Sequence, residues 1–173
     1  MASSGRIIIH TGDGKGKTTA ALGTAFRALG HDQKVCVIQF LKGQGDYGER
    51  IMAQRMPALE WHVCGRGFVF TKEAIEADRS VAREGFALAR QKMLSGAFDL
   101  IILDEVTYLS SFDFVTVDEL VYLLQEKPAS LSVILTGRNA APELIAVADT
   151  VTECQSVKHA FEAGIKAHEG IEF

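Results

Sequence analysis

A glycine-rich segment, TGDGKGKTT, occupies residues 11–19 between an apolar run and a stretch with helical periodicity. It matches the Walker A pattern, in which a turn between a strand and a helix ends in Gly-Lys-Ser/Thr. Its glycines permit the backbone angles that point successive N–H groups at one anion, beside the positive end of the next helix dipole. The segment is therefore predicted to bind the phosphates of a nucleotide. The predicted binding residues in it are Gly12, Asp13, Gly14, Lys15, Gly16, Lys17, Thr18 and Thr19.

Two side chains of this loop have predicted roles in catalysis. The Lys17 ammonium group is expected to meet the outer phosphates, and the Thr18 hydroxyl is expected to ligate Mg²⁺. One position departs from the common pattern, because Thr11 stands where the first glycine is usual and Gly12 follows one residue later. This departure indicates a distinct subfamily of P-loop proteins.

A second element, FDLIILDEVTY, places Asp104 and Glu105 directly after an apolar run, as in Walker B. Carboxylate oxygens suit Mg²⁺, so Thr18, Asp104 and Glu105 are the predicted metal-binding residues, with Glu105 also a predicted catalytic residue. The sequence does not decide which carboxylate ligates Mg²⁺ directly. Arg138, in ILTGRN, ends the next strand at the sheet edge where ligands of open α/β folds collect. It is a candidate clamp for the triphosphate.

Short β-branched runs alternate with longer helix-type segments, which is typical of a parallel sheet with crossover helices. The predicted fold is α/β and P-loop NTPase-like (RecA-like), a mostly parallel sheet with helices on both faces, in one domain over residues 1–173. Strands are predicted at 6–11, 34–40, 59–64, 100–104, 132–136 and 150–154. Helices are predicted at 17–29, 48–55, 72–95, 117–127 and 142–148.

Composition narrows the classes of function and the compartment. The net charge of -4 and the absence of a basic tract argue against nucleic acid as a partner. No apolar run approaches the roughly 20 residues that a membrane span needs, so no membrane association is expected. The cysteines, Cys36, Cys64 and Cys154, are odd in number and lack a C-x-x-C pair, so neither a disulfide framework nor a zinc site is indicated. A cytoplasmic protein is the expectation.

These residues leave the reaction open, because a phosphate loop serves kinases, ATPases and nucleotide-dependent switch modules alike. The lack of an N-K-x-D segment weakens the GTPase interpretation. The histidines form no H-E-x-x-H or other metal-ligand spacing, and none is marked as a general base for a kinase. A small-molecule kinase or ATPase and a non-catalytic ATP-binding switch module both remain as alternatives.

Seven segments in order along the chain carry a more specific resemblance. They are TGDGKGKTTAALGTAFRALGH, VIQFLKG, GER, GRGFVF, LDEVTY, ILTGR and VKHAFEAGIKAHEGIEF. Together they resemble the ATP:corrinoid adenosyltransferases, P-loop enzymes of the cobalamin pathway. The last segment is the most specific, because a generic nucleotide fold does not require it. The resemblance implies transfer of the 5′-deoxyadenosyl group of ATP to Co(I) of a reduced corrinoid, with release of triphosphate.

The resemblance also implies partners and further site residues. ATP is the implied co-substrate, with Mg²⁺, and Lys42 in QFLKG is implied in nucleotide binding. The corrinoid is expected against the aromatic pair of a Gly-Phe-x-Trp stretch, here GFVF, so Phe68 matches and Phe70 replaces tryptophan. A reductase or flavodoxin-type electron donor and a homodimeric assembly are implied as well.

Overall fold

Six strands pair side by side in the computed structural model, which describes residues 4–43, 45, 47–67 and 72–172, with only the backbone of 72–75. Every pairing is parallel, and the strand order is β3-β2-β4-β5-β1-β6. The central strands are continuous apolar runs because helices cover both of their faces. The strands are β1 (Ile7–Thr11), β2 (Val35–Phe40), β3 (Leu59–Cys64), β4 (Leu100–Asp104), β5 (Ser132–Thr136) and β6 (Thr150–Glu153).

The helices connect these strands, and each predicted helix and strand is confirmed to within two residues at its ends. The helices are α1 (Lys17–Leu29), α2 (Gly48–Ala53), α3 (Lys72–Leu94), α4 (Thr107–Ser111), α5 (Val117–Gln125) and α6 (Pro142–Val147), with a 3₁₀ turn at Ala160–Ala163. The sequence missed α4 and the 3₁₀ turn, because each is too short to show a helical period. Among the described helices, none combines the length and the apolarity needed to cross a bilayer.

Two apolar clusters lie on opposite faces of the sheet. On one face, the small residues Ala21, Ala25 and Ala28 let α1 pack closely on the sheet. On the other face, α3, α5 and α6 cover a larger cluster that includes the fully buried Phe40 and Met93. Alternate residues of each central strand enter alternate clusters, as the two-residue repeat of a strand requires. This arrangement holds the carboxyl ends of the strands at one edge, where the predicted site residues lie.

The contact of α3 with the sheet depends on a glycine inside that helix. A Cβ atom at Gly85 would lie 2.6 Å from Cβ of Cys64 and 3.0 Å from a ring carbon of Phe40. Such a separation is too short for two carbon atoms, so any larger residue at position 85 must push the helix or the strand away. Gly23 in α1 differs, because a Cβ atom there would meet nothing within 4 Å.

Replacing these two glycines by alanine is expected to change stability in opposite directions. Gly85→Ala should lower the free energy of unfolding, because overpacking of roughly 1–3 kcal/mol outweighs the helix-propensity gain of up to about 1 kcal/mol. Gly23→Ala should raise it by about 0.5–1 kcal/mol, because only the propensity gain applies. Urea unfolding of both variants measures the two effects, and equal stabilisation by both would contradict the close packing of α3.

Candidate nucleotide site

The loop after β1 is packed directly against the segment that follows β6. A Cβ atom at Gly12 would lie 2.5 Å from the Cys154 carbonyl oxygen, and one at Gly14 would lie 2.6 Å from the Gln155 backbone. Gly12 also has a φ of 93°, a left-handed conformation that favours glycine. The Gly14 N–H donates to the Cys154 carbonyl at 2.7 Å. These glycines therefore serve the contact with the segment after β6 as well as the shape of the loop.

The ammonium group of Lys17 closes the loop from inside. Its Nζ donates to the carbonyl oxygens of Gly12 and Gly14, both at 2.7 Å, and the residue is only 9% exposed. Gly16, at the N-cap of α1, has a φ of 113°, and no described side chain caps that helix end. The first N–H groups of α1 are therefore available to an anion beside a buried positive charge.

Asp104 is a buried carboxylate held by four side-chain donors. Its Oδ1 accepts from the hydroxyls of Thr18 at 2.8 Å and Thr136 at 2.6 Å. Its Oδ2 accepts from Nε2 of Gln39 at 2.9 Å and from Nζ of Lys42 at 3.3 Å. Since a buried charge is costly unless it is paired and hydrogen-bonded, these contacts are what makes the ionised form tolerable there.

Glu105, the next residue, is in the opposite situation. Its φ is 60°, which is strained for a non-glycine residue, and its N–H donates to the Thr136 hydroxyl at 2.9 Å. Among the described residues, no donor reaches its buried Oε2 atom. Burial, and then the charge of Asp104, raises the pKa of Glu105, while Lys42, Lys17 and Arg138 lower it by less. The structure thus leaves one carboxylate oxygen without a hydrogen bond beside the phosphate loop.

Threonine hydroxyls join the ends of the neighbouring strands. The Thr11 hydroxyl accepts from the N–H of Ala140 at 3.2 Å, which links the end of β1 to the loop after β5. The Thr107 hydroxyl donates to the carbonyl of Arg138 at 2.6 Å, and a Cβ atom at Gly137 would collide with it at 2.1 Å. A glycine at position 11 would leave the Ala140 N–H without this acceptor. Thr11 therefore contributes a contact that the common pattern cannot make.

Two cavities open on either side of the phosphate loop and share Lys15, Lys17 and Glu105. One has a volume of about 440 Å³ and the other about 690 Å³. The first is also lined by Gly16, Thr18, Thr19, Leu22, Lys42, Gly48, Glu49, Gly170, Ile171 and Glu172. The second is also lined by Asp13, Gly14, Tyr108, Arg138, Ser156, His159, Phe161 and Glu162. Each cavity therefore has a wall formed by the segment that follows β6.

An ion pair fastens that segment to the phosphate loop. The Lys15 ammonium lies 2.8 Å from Oε1 of Glu172. The other carboxylate oxygen of Glu172, Oε2, accepts a hydrogen bond from the backbone N–H of His168 at 2.8 Å. The hydrogen bond from Lys15, and then the one from the His168 backbone, lowers the pKa of Glu172. The Glu172 carboxylate therefore lies beside Lys15, a residue that the sequence predicts to bind phosphate.

The structure brings most of the predicted site residues together. Every residue from Asp13 to Thr19 lines a cavity, as do Lys42, Glu105 and Arg138. Gly12 and Asp104 instead accept hydrogen bonds from the Lys17 ammonium and the Thr18 hydroxyl, respectively. Gln39 belongs to β2 and contacts Asp104. Phe68 and Phe70 lie outside the described residues.

Some cavity-lining residues received no role from the sequence, among them Tyr108 and Phe161 in the larger cavity. Glu49 and His159 also line the cavities, and each lies in a segment that carries the family resemblance, GER and VKHAFEAGIKAHEGIEF. The His159 ring accepts the N–H of Phe161 through Nδ1 at 3.1 Å, which shapes the 3₁₀ turn. The sequence signal for His159 and Phe161 was the family resemblance of the last segment, because a generic nucleotide fold does not require that segment.

The fold is that of the P-loop NTPase-like class, with the phosphate-loop sequence at the expected end of the sheet. A crystal structure of the flagellar accessory protein FlaH from Methanocaldococcus jannaschii shares this fold, with a TM-score of 0.59 over 87% of this chain and 71% of that chain, at 16% identity. The family model for ATP:corrinoid adenosyltransferase BtuR/CobO/CobP matches residues 3–173. This chain therefore belongs to the ATP:corrinoid adenosyltransferase family, as the sequence motifs predicted.

Curated relatives agree with that assignment over almost the whole chain. A corrinoid adenosyltransferase of Escherichia coli (strain K12) is 43% identical over 98% of this chain and 86% of its own length. A corrinoid adenosyltransferase of Pseudomonas aeruginosa is 40% identical over 98% of this chain and 84% of its own length. Corrinoid adenosyltransferase CobA of Salmonella typhimurium is 40% identical over 98% of this chain and 86% of its own length.

Glu105→Gln is expected to stabilise the unliganded protein. Because the pKa of Glu105 is raised, ionising it costs folding free energy, and that cost appears as the pH rises from the unfolded pKa through the folded one. At neutral pH the neutral amide should therefore raise Tm, by about 2–4 °C for each 1 kcal/mol recovered. Thermal melts at pH 4 and pH 7.5 measure this, and the gain should shrink at the lower pH. A lower Tm at pH 7.5 would contradict it.

Glu172→Gln is expected to tighten the binding of inorganic tripolyphosphate several-fold. The variant removes a negative charge next to the loop and frees Lys15 from its carboxylate partner, so repulsion of the polyanion decreases. Glu169→Gln, in the same turn, is the matched control and should change affinity less. Calorimetric titration in low and high salt measures both, and weaker binding by Glu172→Gln would contradict the competition between carboxylate and phosphate.

Proposed function

We propose that this protein transfers the 5′-deoxyadenosyl group of ATP to the cobalt of a reduced corrinoid and releases inorganic triphosphate. The observation that carries the proposal is the concentration of cationic and N–H donors around one loop, in a chain that belongs to this family. Lys15, Lys17, Lys42 and Arg138 all line the two adjoining cavities. Such a site can hold the triphosphate of one substrate while a second substrate approaches the nucleoside.

The reaction needs a site that stabilises the leaving group, and it needs no nucleophile from the protein. The electron pair of Co(I) forms the new bond to C5′, the C5′–O bond breaks, and the triphosphate leaves with the electrons of that bond. Negative charge grows on the triphosphate in this step, and preorganised donors stabilise growing charge. We assign this role to Lys17, to the first N–H groups of α1 and to Arg138. Lys17 exchanges its contacts with Gly12 and Gly14 for phosphate oxygens in this scheme.

The donor set of the site fits Mg²⁺, because it consists of hydroxyl and carboxylate oxygens. Thr18 and Glu105 would hold the ion directly, since Glu105 Oε2 is buried without a described partner. Asp104 would act behind them, because all four of its contacts are already made and it orients the Thr18 hydroxyl. When bound, Mg²⁺ neutralises part of the charge on the triphosphate. Ligation by Glu105 also removes the cost of its burial in the ionised form.

We propose Phe68 and Phe70 as the contacts of the corrinoid, from the family resemblance of GFVF. Phe161, which is 82% exposed, and Tyr108 line the larger cavity and offer further apolar surface to a large planar substrate. We further propose a single-domain cytoplasmic homodimer that receives electrons for its substrate from a reductase or flavodoxin-type donor.

Product analysis separates this proposal from the P-loop alternatives. With MgATP and chemically reduced cob(I)alamin, the protein should form a Co–C bonded product together with inorganic triphosphate. A kinase or ATPase would instead release ADP, and a switch module would bind ATP without turnover. Detection of ADP with phosphate or phosphorylated acceptor, and no Co–C product, would overturn the proposal.

Lys17→Ala should reduce turnover by about 100-fold or more, because a buried donor to the leaving group is lost. Lys34→Ala, an exposed lysine before β2, is the control and should keep its activity. Thermal melts of both variants test the fold, since Lys17 also holds two loop carbonyls. Full activity of a folded Lys17→Ala variant would contradict the assigned role.

A further inference from the structure

Cys36, Glu60 and His62 meet on the sheet face that α3 covers. Cys36 lies opposite Glu60 in the parallel pairing of β2 with β3, and His62 follows two residues later on the same side of β3. The Cys36 sulfur, a Glu60 carboxylate oxygen and a His62 ring nitrogen all lie within 4.8 Å of one another. Three ligand atoms of different types therefore converge on one point of a rigid sheet.

We propose that this cluster, Cys36 with Glu60 and His62, binds one thiophilic divalent cation of the zinc type. Sulfur, imidazole nitrogen and carboxylate oxygen are the ligands that Zn²⁺ takes in proteins, and three such ligands leave a fourth position for water. The thiolate selects against Mg²⁺ and Ca²⁺, which prefer oxygen. This site is independent of the adenosyl transfer proposed above.

A lysine of α3 supplies a positive charge beside the cluster. The Lys92 ammonium of α3 pairs with Glu60, which also pairs with the His62 ring. Its Nζ lies 5.8 Å from the centroid of the Phe98 ring, and its side chain is 23% exposed. A long lysine side chain with such access to solvent can swing away, so the ammonium group and the metal ion compete for Glu60.

Cys36 determines which metals the cluster selects, because it is fully buried and its sulfur is the soft ligand of the three. A bound cation would replace the thiol proton, since the thiolate is the form that ligates a metal. Cys36 is the second residue of β2, whereas the phosphate loop lies at the far end of the sheet. The bound ion would thus fasten the edge strand β3 to β2 rather than take part in nucleotide chemistry.

Titration of the chelator-treated full chain with Co²⁺ alone tests the proposal. We expect one equivalent to bind with a cobalt–thiolate charge-transfer band, and Zn²⁺ to displace it. Cys36→Ser should abolish the band, and His62→Gln should weaken binding many-fold, whereas the control Cys154→Ser should keep the band. Zn²⁺ should raise Tm of the wild-type chain but not of Cys36→Ser, because only a ligand of the folded state stabilises it.

Lys92→Met provides a test in the opposite direction. Removing the competing ammonium group should tighten Co²⁺ binding several-fold, whereas loss of a merely structural ion pair would leave affinity unchanged. The proposal is overturned if the wild-type chain shows no thiolate band, if Cys36→Ser retains it, or if Lys92→Met binds no more tightly.

Discussion

The buried carboxylate of Asp104 is the constraint on which the nucleotide site depends. An ionised group without solvent must be surrounded by donors, and here they come from α1, from β2 and the loop after it, and from β5. A shift of any one of these elements would leave a buried charge incompletely paired, which is far more costly than the loss of an exposed ion pair. The strand register and the start of α1 are therefore coupled through one side chain.

This pairing also determines what the neighbouring glutamate can do. Thr136 donates to Asp104 and accepts from the N–H of Glu105, so the same hydroxyl holds both residues at the end of β4. Asp104 takes the nearby donors, and Glu105 has a buried oxygen without a described partner. Its backbone φ of 60° is strained, and burial, followed by the charge of Asp104, raises its pKa. The buried Glu105 thus carries a local energetic cost, and such costs are common at functional sites.

The sequence was informative wherever the signal is local. The β-branched runs and the Walker A spacing predicted the strands, the long helices and the phosphate loop, because these patterns depend on near neighbours. The pairing of Asp104 with Gln39 and the placement of Glu172 on Lys15 are contacts over long separations, which composition and periodicity do not encode. The cluster of Cys36 with Glu60 and His62 is of the same kind. Cys36 is distant in sequence from Glu60 and His62, and the pairing of β2 with β3 is what brings the three residues together.

The segment after β6, which includes the most specific part of the family resemblance, packs against the phosphate loop. Gly14 donates to Cys154, and Lys15 pairs with Glu172, so the loop and the last segment of the chain form one packed unit. The glycines at positions 12 and 14 have a double requirement in this unit, because a side chain at either would collide with the segment as well as disturb the loop. A substitution in the last segment is therefore expected to act on the loop through its backbone and through the Lys15 side chain, without any residue of the Walker A pattern being altered.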